Sequence, residues 1–102
     1  MIKLMDVSSL IQLAESLLNV EGAQTAYDTL RPAAEKITDS ITILYNLSCY
    51  ACEIGKIDEA RKWLAKTFAE AKNSEYDGFY QRLAADDLQL KPLWGEISDR
   101  AK

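Results

Sequence analysis

The sequence predicts an all-α fold, a right-handed α-solenoid of antiparallel helix pairs, and two observations carry that prediction. Leu10, Leu13, Ala14, Leu17, Ala26 and Leu30 recur 34 residues later as Leu44, Leu47, Ser48, Ala51, Ala60 and Leu64, which is the period of one helix pair. Within each copy the apolar residues fall on a helical stripe bounded by capping and turn residues. A unit of this length cannot bury its own apolar face and must stack on a neighbour, giving a curved array whose inner surface is a ready groove. The reading is a single domain over 1–102, with units of about 6–39, 40–73 and 74–102.

Taken in order, Asp6 is expected to start a helix that runs to about Val20, Gly22 makes the turn, and a partner helix begins at Ala23. Pro32 has no N–H to donate, so it is expected to kink or restart that helix near Leu30. Ser40 before Ile41 reads as an N-cap and Gly55 as a C-terminal cap, with Ile43, Leu44, Leu47, Ala51 and Ile54 forming the stripe between them. Ile41-Thr42-Ile43 alone would suit a strand, but the longer period outweighs it. Asp58 and Glu59 fall in the first turn of the next helix, where they complement its dipole. Ala60, Leu64, Ala65 and Phe68 carry its buried face, flanked by Trp63 and Thr67, and Ala60 is expected where the two helices cross. After Tyr76 a helix runs to about Asp87, and Leu88 to Lys91 form a break. Pro92 fits the first turn of a last helix through Ile97, which caps the array through Leu93, Trp94 and Ile97.

The stretch Leu44-x-x-Leu47-Ser48-x-x-Ala51 followed by Ala60-x-x-x-Leu64, with Tyr45-Asn46-Leu47 and Gly55-Lys56-Ile57-Asp58-Glu59-Ala60 around it, resembles the tetratricopeptide repeat (TPR) of small bacterial proteins. Leu44, Ala51 and Leu64 stand where that family has Trp, Tyr and Phe, and Lys72 where its Pro would fall. The first copy fits at Leu10-x-x-Leu13-Ala14-x-x-Leu17 and Ala26-x-x-x-Leu30, departing at Pro32 and Thr38, so the resemblance covers about residues 6 to 72. A third inner helix aligns at an offset of 36, mapping Leu44, Leu47 and Ser48 onto Tyr80, Leu83 and Ala84. The extra residues fall in the polar loop Lys72-Asn73-Ser74-Glu75, whereas the strict offset of 34 would put Gln81 and Arg82 on apolar positions. The ending from Ala84 to Trp94 is similar to the closing segment of bacterial repeat proteins of this kind.

The resemblance implies a peptide groove lined by the first helix of each unit. In chaperone-binding members a terminal carboxylate is clamped from positions that match Ile11, Glu15, Asn46, Gly78 and Arg82 here. Asn46 and Arg82 agree with that clamp, while Glu15 would repel a carboxylate.

At 102 residues the chain has room for one domain. Its net charge of −4 and pI near 4.8, with no basic cluster beyond Arg61-Lys62, argue against nucleic acid or an anionic membrane as partner. Met1-Ile2-Lys3-Leu4-Met5-Asp6 is too short and interrupted for a signal peptide, and no run approaches the roughly 20 apolar residues of a membrane span. A cytoplasmic location is the expectation. The chain has no histidine, which removes the commonest general base and metal ligand. Its glycines stand alone between helical patterns, so no phosphate-binding loop is present.

Cys49-x-x-Cys52 has the spacing of a dithiol or metal site. Both cysteines fall in mid-helix, with no second pair or histidine to complete a zinc site, so they read as small apolar residues. Asp86-Asp87 and Glu15 have no partner base and read as solvated charge. Asn46-Leu47-Ser48 matches the glycosylation triplet but lies inside a helix. No catalytic, cofactor or metal residue is therefore expected. On the inner face stand Ile11, Gln12 and Glu15, then Tyr45, Asn46 and Cys49, then Gln81, Arg82 and Ala85. Gln12, Glu15, Tyr45, Asn46, Cys49 and Arg82 are the expected groove, with Asn46 central because its amide both donates and accepts. The leading functional reading is a non-catalytic module that holds a protein or peptide partner. The alternative is a structural one, in which the chain caps or dimerises a helical assembly through Leu93, Trp94 and Tyr80. A redox enzyme using Cys49 and Cys52 is a third.

Overall fold

The computed structural model of the 102-residue chain describes residues 7–72 and 74–101, the last four by backbone course alone. The expected helix start at Asp6, the opening segment 1–6 and Asn73 of the expected loop lie outside the described residues. Those described form six α-helices and one 3₁₀ segment, with no strand among them: α1 Val7–Val20, α2 Ala23–Lys36, α3 Ile41–Glu53, α4 Ile57–Lys72, α5 Phe79–Asp86, the 3₁₀ segment Leu88–Leu93, and α6 Trp94–Ala101. None of these helices is long and apolar enough to cross a membrane.

The punctuation of the chain sets these boundaries. Ser40 caps α3, its Oγ accepting from Ile43 N at 3.3 Å, which satisfies one of the donors that a helix start leaves orphaned. At the other end Gly55 takes the left-handed conformation with φ 83°. Gly55 N donates to Cys52 O at 3.1 Å and Lys56 N to Ala51 O at 2.8 Å. This is the paired 5→2 and 6→1 bonding of a Schellman stop, and it reverses the chain into α4.

Packing follows chain order, each helix lying against the next, while α3 also meets α1 and the 3₁₀ segment. The molecule extends 46 × 28 × 19 Å. A single cluster of buried residues joins Ala14 on α1 to Ile97 on α6. Ala14, Ala26, Ala60 and Ala84 are fully buried, and Tyr27, Leu30, Ile43, Leu47, Leu90, Leu93 and Ile97 supply most of the volume of the core. Burying each of the larger side chains stabilises the fold by about 1.5–3 kcal/mol.

Several expectations need correction. Pro32 does not divide α2, which continues from Ala23 to Lys36. Pro32 and Asp28, whose carbonyl the missing N–H leaves unpaired, are both exposed, and the burial of Ala26, Tyr27, Leu30 and Ala34 along α2 outweighs what the proline costs. Thr67 is not at the margin of α4 but fully buried. Its hydroxyl donates to Trp63 O at 2.8 Å, and a satisfied hydroxyl can enter the core with its methyl group. Pro92 lies inside the 3₁₀ segment rather than in the first turn of α6. Leu13 is exposed although its counterpart Leu47 is fully buried, in keeping with α1 meeting α2 and α3 where α3 meets four elements. In α5 Ala84 is fully buried like Ser48, its counterpart at the offset of 36, but Leu83 is exposed although its counterpart Leu47 is buried, so the third copy keeps only part of the expected face.

Candidate functional site

Helix α3 is covered on nearly every side, because α1, α2, α4 and the 3₁₀ segment all pack on it. Its remaining solvent-reaching residues include Thr42, Asn46 and Glu53, whose spacing of four and seven places them on one stripe. Cys49 belongs to the same stripe by spacing, yet it is buried. The residue that covers it is Asp87.

Asp87 acts from the junction between α5 and the 3₁₀ segment. It caps that segment, its Oδ1 accepting from Gln89 N at 3.0 Å, and its own carbonyl accepts from Trp94 Nε1 at 3.0 Å. These two bonds fix the carboxylate so that Oδ2 faces α3. There it accepts from Tyr45 Oη at 2.7 Å and from Cys49 Sγ at 3.7 Å. Two residues on, Gln89 Nε2 donates to Glu53 Oε1 at 2.7 Å. The Tyr45 ring also packs against Tyr80, with centroids 5.4 Å apart. The 3₁₀ segment thus binds along the C-terminal half of the α3 stripe through polar contacts that the chain itself supplies.

The electrostatics follow from this geometry. Burial first, then the bond to Asp87, holds the Tyr45 phenol protonated well above its ordinary range. Burial and the negative charge of Asp87 likewise push the Cys49 thiol up, and burial raises Cys52. Both cysteines are free thiols, and these shifts oppose the thiolate that redox or metal chemistry requires. Tyr50 is pushed up to about 12, by burial and then by the charge of Glu15 on α1. Among the described residues no group of three or more His, Cys, Asp or Glu could hold a metal ion.

The expected groove residues are therefore distributed unevenly. Gln12 and Glu15 are exposed on α1, Asn46 is half-buried on α3, and Arg82 is exposed on α5 with its guanidinium beside Gly78. Tyr45 and Cys49 are placed differently from the expectation: both are buried and bonded to Asp87, so neither offers a free polar group to a ligand. The structure joins Tyr45 to Cys49 through Asp87 and sets Glu15 near Tyr50, while Arg82 stands apart. Of the residues expected at a self-association surface, Leu93 is buried, and Trp94 and Tyr80 are half-buried. No family model, curated protein or solved structure matches the chain. Its chemistry rests on its own residues.

A second surface was not legible in the sequence. On α2 and α4 a depression is lined by Arg31, Glu59, Lys62, Trp63, Ala65 and Lys66. Trp63 Nε1 donates to Tyr27 Oη at 2.8 Å, and that hydroxyl donates to Glu59 Oε1. This relay locks the indole in place, and Lys66 Nζ stands 5.0 Å from its ring centroid. The Arg61-Lys62 pair divides, since Arg61 turns away to Asp58 at 2.7 Å and to Glu96 at 2.7 and 2.9 Å. The four-residue step from Lys62 to Lys66 around Trp63 was the available sequence signal. Elsewhere Tyr76, Phe79, Leu83 and Leu88 are large apolar side chains left exposed around α5.

Proposed function

We propose that the chain is a non-catalytic interaction module of the tetratricopeptide-repeat kind, its helix pairs stacked antiparallel in a right-handed solenoid, holding a protein or peptide partner along the inner helices. The observation that carries this reading is Asn46. It is a half-buried amide in the middle of the solvent-reaching stripe of α3, between Thr42 and Glu53, with the exposed Gln12 and Glu15 on the helix beside it. A side chain that both donates and accepts, set on a rigid helix, suits pairing with the backbone of an extended segment. Tyr45 and Cys49, taken up by Asp87, do not touch the partner in this reading. A cytoplasmic setting, with no nucleic acid, membrane, metal or cofactor involved, belongs to the same reading and agrees with the acidic balance of the chain.

The test is to capture a partner on the intact chain and titrate it against Asn46→Ala and Arg82→Glu. Asn46→Ala is expected to weaken binding by about 1–3 kcal/mol, the cost of leaving a partner backbone group unpaired, with the thermal midpoint unchanged. Unchanged affinity in both variants, with the fold intact, would remove the inner helices from the interface. A second reading, in which the module associates with itself, is favoured by the exposed rings of Tyr76 and Phe79, since exposed aromatic side chains brought together mark contact surfaces.

A further inference from the structure

We infer that one copy of this chain docks the loop around Tyr76 into the Trp63 depression of another, in a head-to-tail contact that rests on the self-association reading. Both halves of the contact are on the molecule. The depression carries three cations, Arg31, Lys62 and Lys66, against one carboxylate, Glu59. That carboxylate already accepts from Tyr27 Oη and faces Lys56 Nζ at 4.0 Å. The local charge is thus positive on a chain whose net charge is −4. Its floor is an indole held rigid by the Tyr27 bond.

The loop is its complement. Tyr76 and Phe79 are each nearly half exposed, their rings meeting edge to face with centroids 6.2 Å apart. The neighbours Glu75 and Asp77 are both exposed carboxylates. The loop does not need ordering on contact. Ser74 Oγ donates to Ala71 O at 2.9 Å and accepts from Tyr76 N at 3.0 Å, while Asp77 N donates to Ser74 O at 3.3 Å and Phe79 N to Tyr76 O at 3.0 Å. A preformed turn loses little conformational freedom when bound. Aromatic rings on an aromatic floor, with carboxylates between cations at the rim, is the arrangement in which the centre supplies affinity and the charges supply register. The charge pattern selects a second copy as occupant, because the chain presents the acidic aromatic segment that its own basic pocket fits. The two patches differ, so the contact is heterologous, and each added copy presents the same unused pair until a ring closes.

Sedimentation of the intact chain across a concentration series tests this. The mass is expected to rise above the 11.5 kDa of one chain and to fall back as salt is added, because exposed charge pairs are screened. Lys66→Glu alone and Asp77→Lys alone should each weaken association about tenfold or more, as like charges brought together would. An equimolar mixture of the two variants should recover it, because each then meets an opposite charge. All these positions are exposed, and an unchanged thermal midpoint checks that the variants fold. A chain that stays monomeric at every concentration overturns both this contact and the self-association reading. A multimer whose mass ignores both charge reversals, or single variants that are weakened but not rescued on mixing, overturns this contact and leaves self-association standing through another surface.

Discussion

Replacing Asp87 by alanine is the sharpest test of how the last part of the chain is held. The substitution removes the cap bond to Gln89 N, worth about 1 kcal/mol, and leaves the buried Tyr45 hydroxyl without its acceptor, at about 1–3 kcal/mol. Relief of a half-buried carboxylate offsets a part of this, so the expected loss is about 2–3 kcal/mol. For a chain of this length that corresponds to a fall in Tm of at least about 8 °C. Asp87→Asn keeps an acceptor in only one of the two places, its NH2 being a donor, and should fall between the parent and Asp87→Ala. Urea unfolding followed by far-UV circular dichroism gives each free energy, with an unchanged m-value confirming that stability alone has moved. Tyr45→Phe completes a double-mutant cycle, because in the Asp87→Ala background no hydroxyl remains to be left unpaired and the second change should cost nothing or restore stability. If Asp87→Ala stays within about 0.5 kcal/mol of the parent, or the two losses simply add, then Asp87 does not clamp α3.

Ala60→Leu should destabilise by about 1–3 kcal/mol, since Ala60 is fully buried and added methylenes force neighbouring side chains off their rotamers; thermal melts check this, and Ala26→Leu should behave alike. Alkaline pH should weaken the fold in a defined direction. Cys49, Cys52, Tyr45 and Tyr50 are raised above ordinary values of 9.0 for the thiols and 10.0 for the phenols, so from about pH 9 upward the unfolded chain sheds protons that the folded chain keeps. Their contribution is whole below those values and is lost as pH rises toward the folded ones, which urea midpoints measured between neutral pH and pH 11 would register as a steady fall. At neutral pH both thiols should react slowly with an alkylating reagent and faster only with denaturant present; rapid modification of the folded chain would show them to be accessible thiolates.

The helices were legible because their causes are local. Ser40, Gly55 and the stripe from Ile43 to Ile54 lie within a few turns of one another, and capping and periodicity act over that range. The junction at Asp87 was not legible, since its partners Tyr45 and Cys49 lie far away in sequence on a different helix and nothing in the spacing announces them. The same distance hid the Tyr27–Glu59–Trp63 relay. Thr67 was misplaced because its polarity was weighed without the Trp63 carbonyl that satisfies it. Pro32 was misjudged because the packing of Ala26, Tyr27, Leu30 and Ala34 on both sides of it, which holds α2 together, depends on neighbours distant in sequence. Asn46, Gln12, Glu15 and Arg82 reach solvent as their helical phase requires, whereas Cys49 on the Asn46 stripe and Tyr45 beside it are roofed over by the segment that follows α5.

The enclosure of α3 also shapes how the molecule opens. Backbone amides in α3 are sheltered by four neighbouring elements, so they exchange with deuterium through global unfolding, while α1 and α6, each packed from fewer sides, exchange through cheaper local excursions. Helical arrays whose units touch only their nearest neighbours unzip from either end. Here the bonds from Asp87 and Gln89 back to Tyr45, Cys49 and Glu53 tie the 3₁₀ segment to the middle, so that segment melts together with α3, and gradual fraying is confined to α1 and α6.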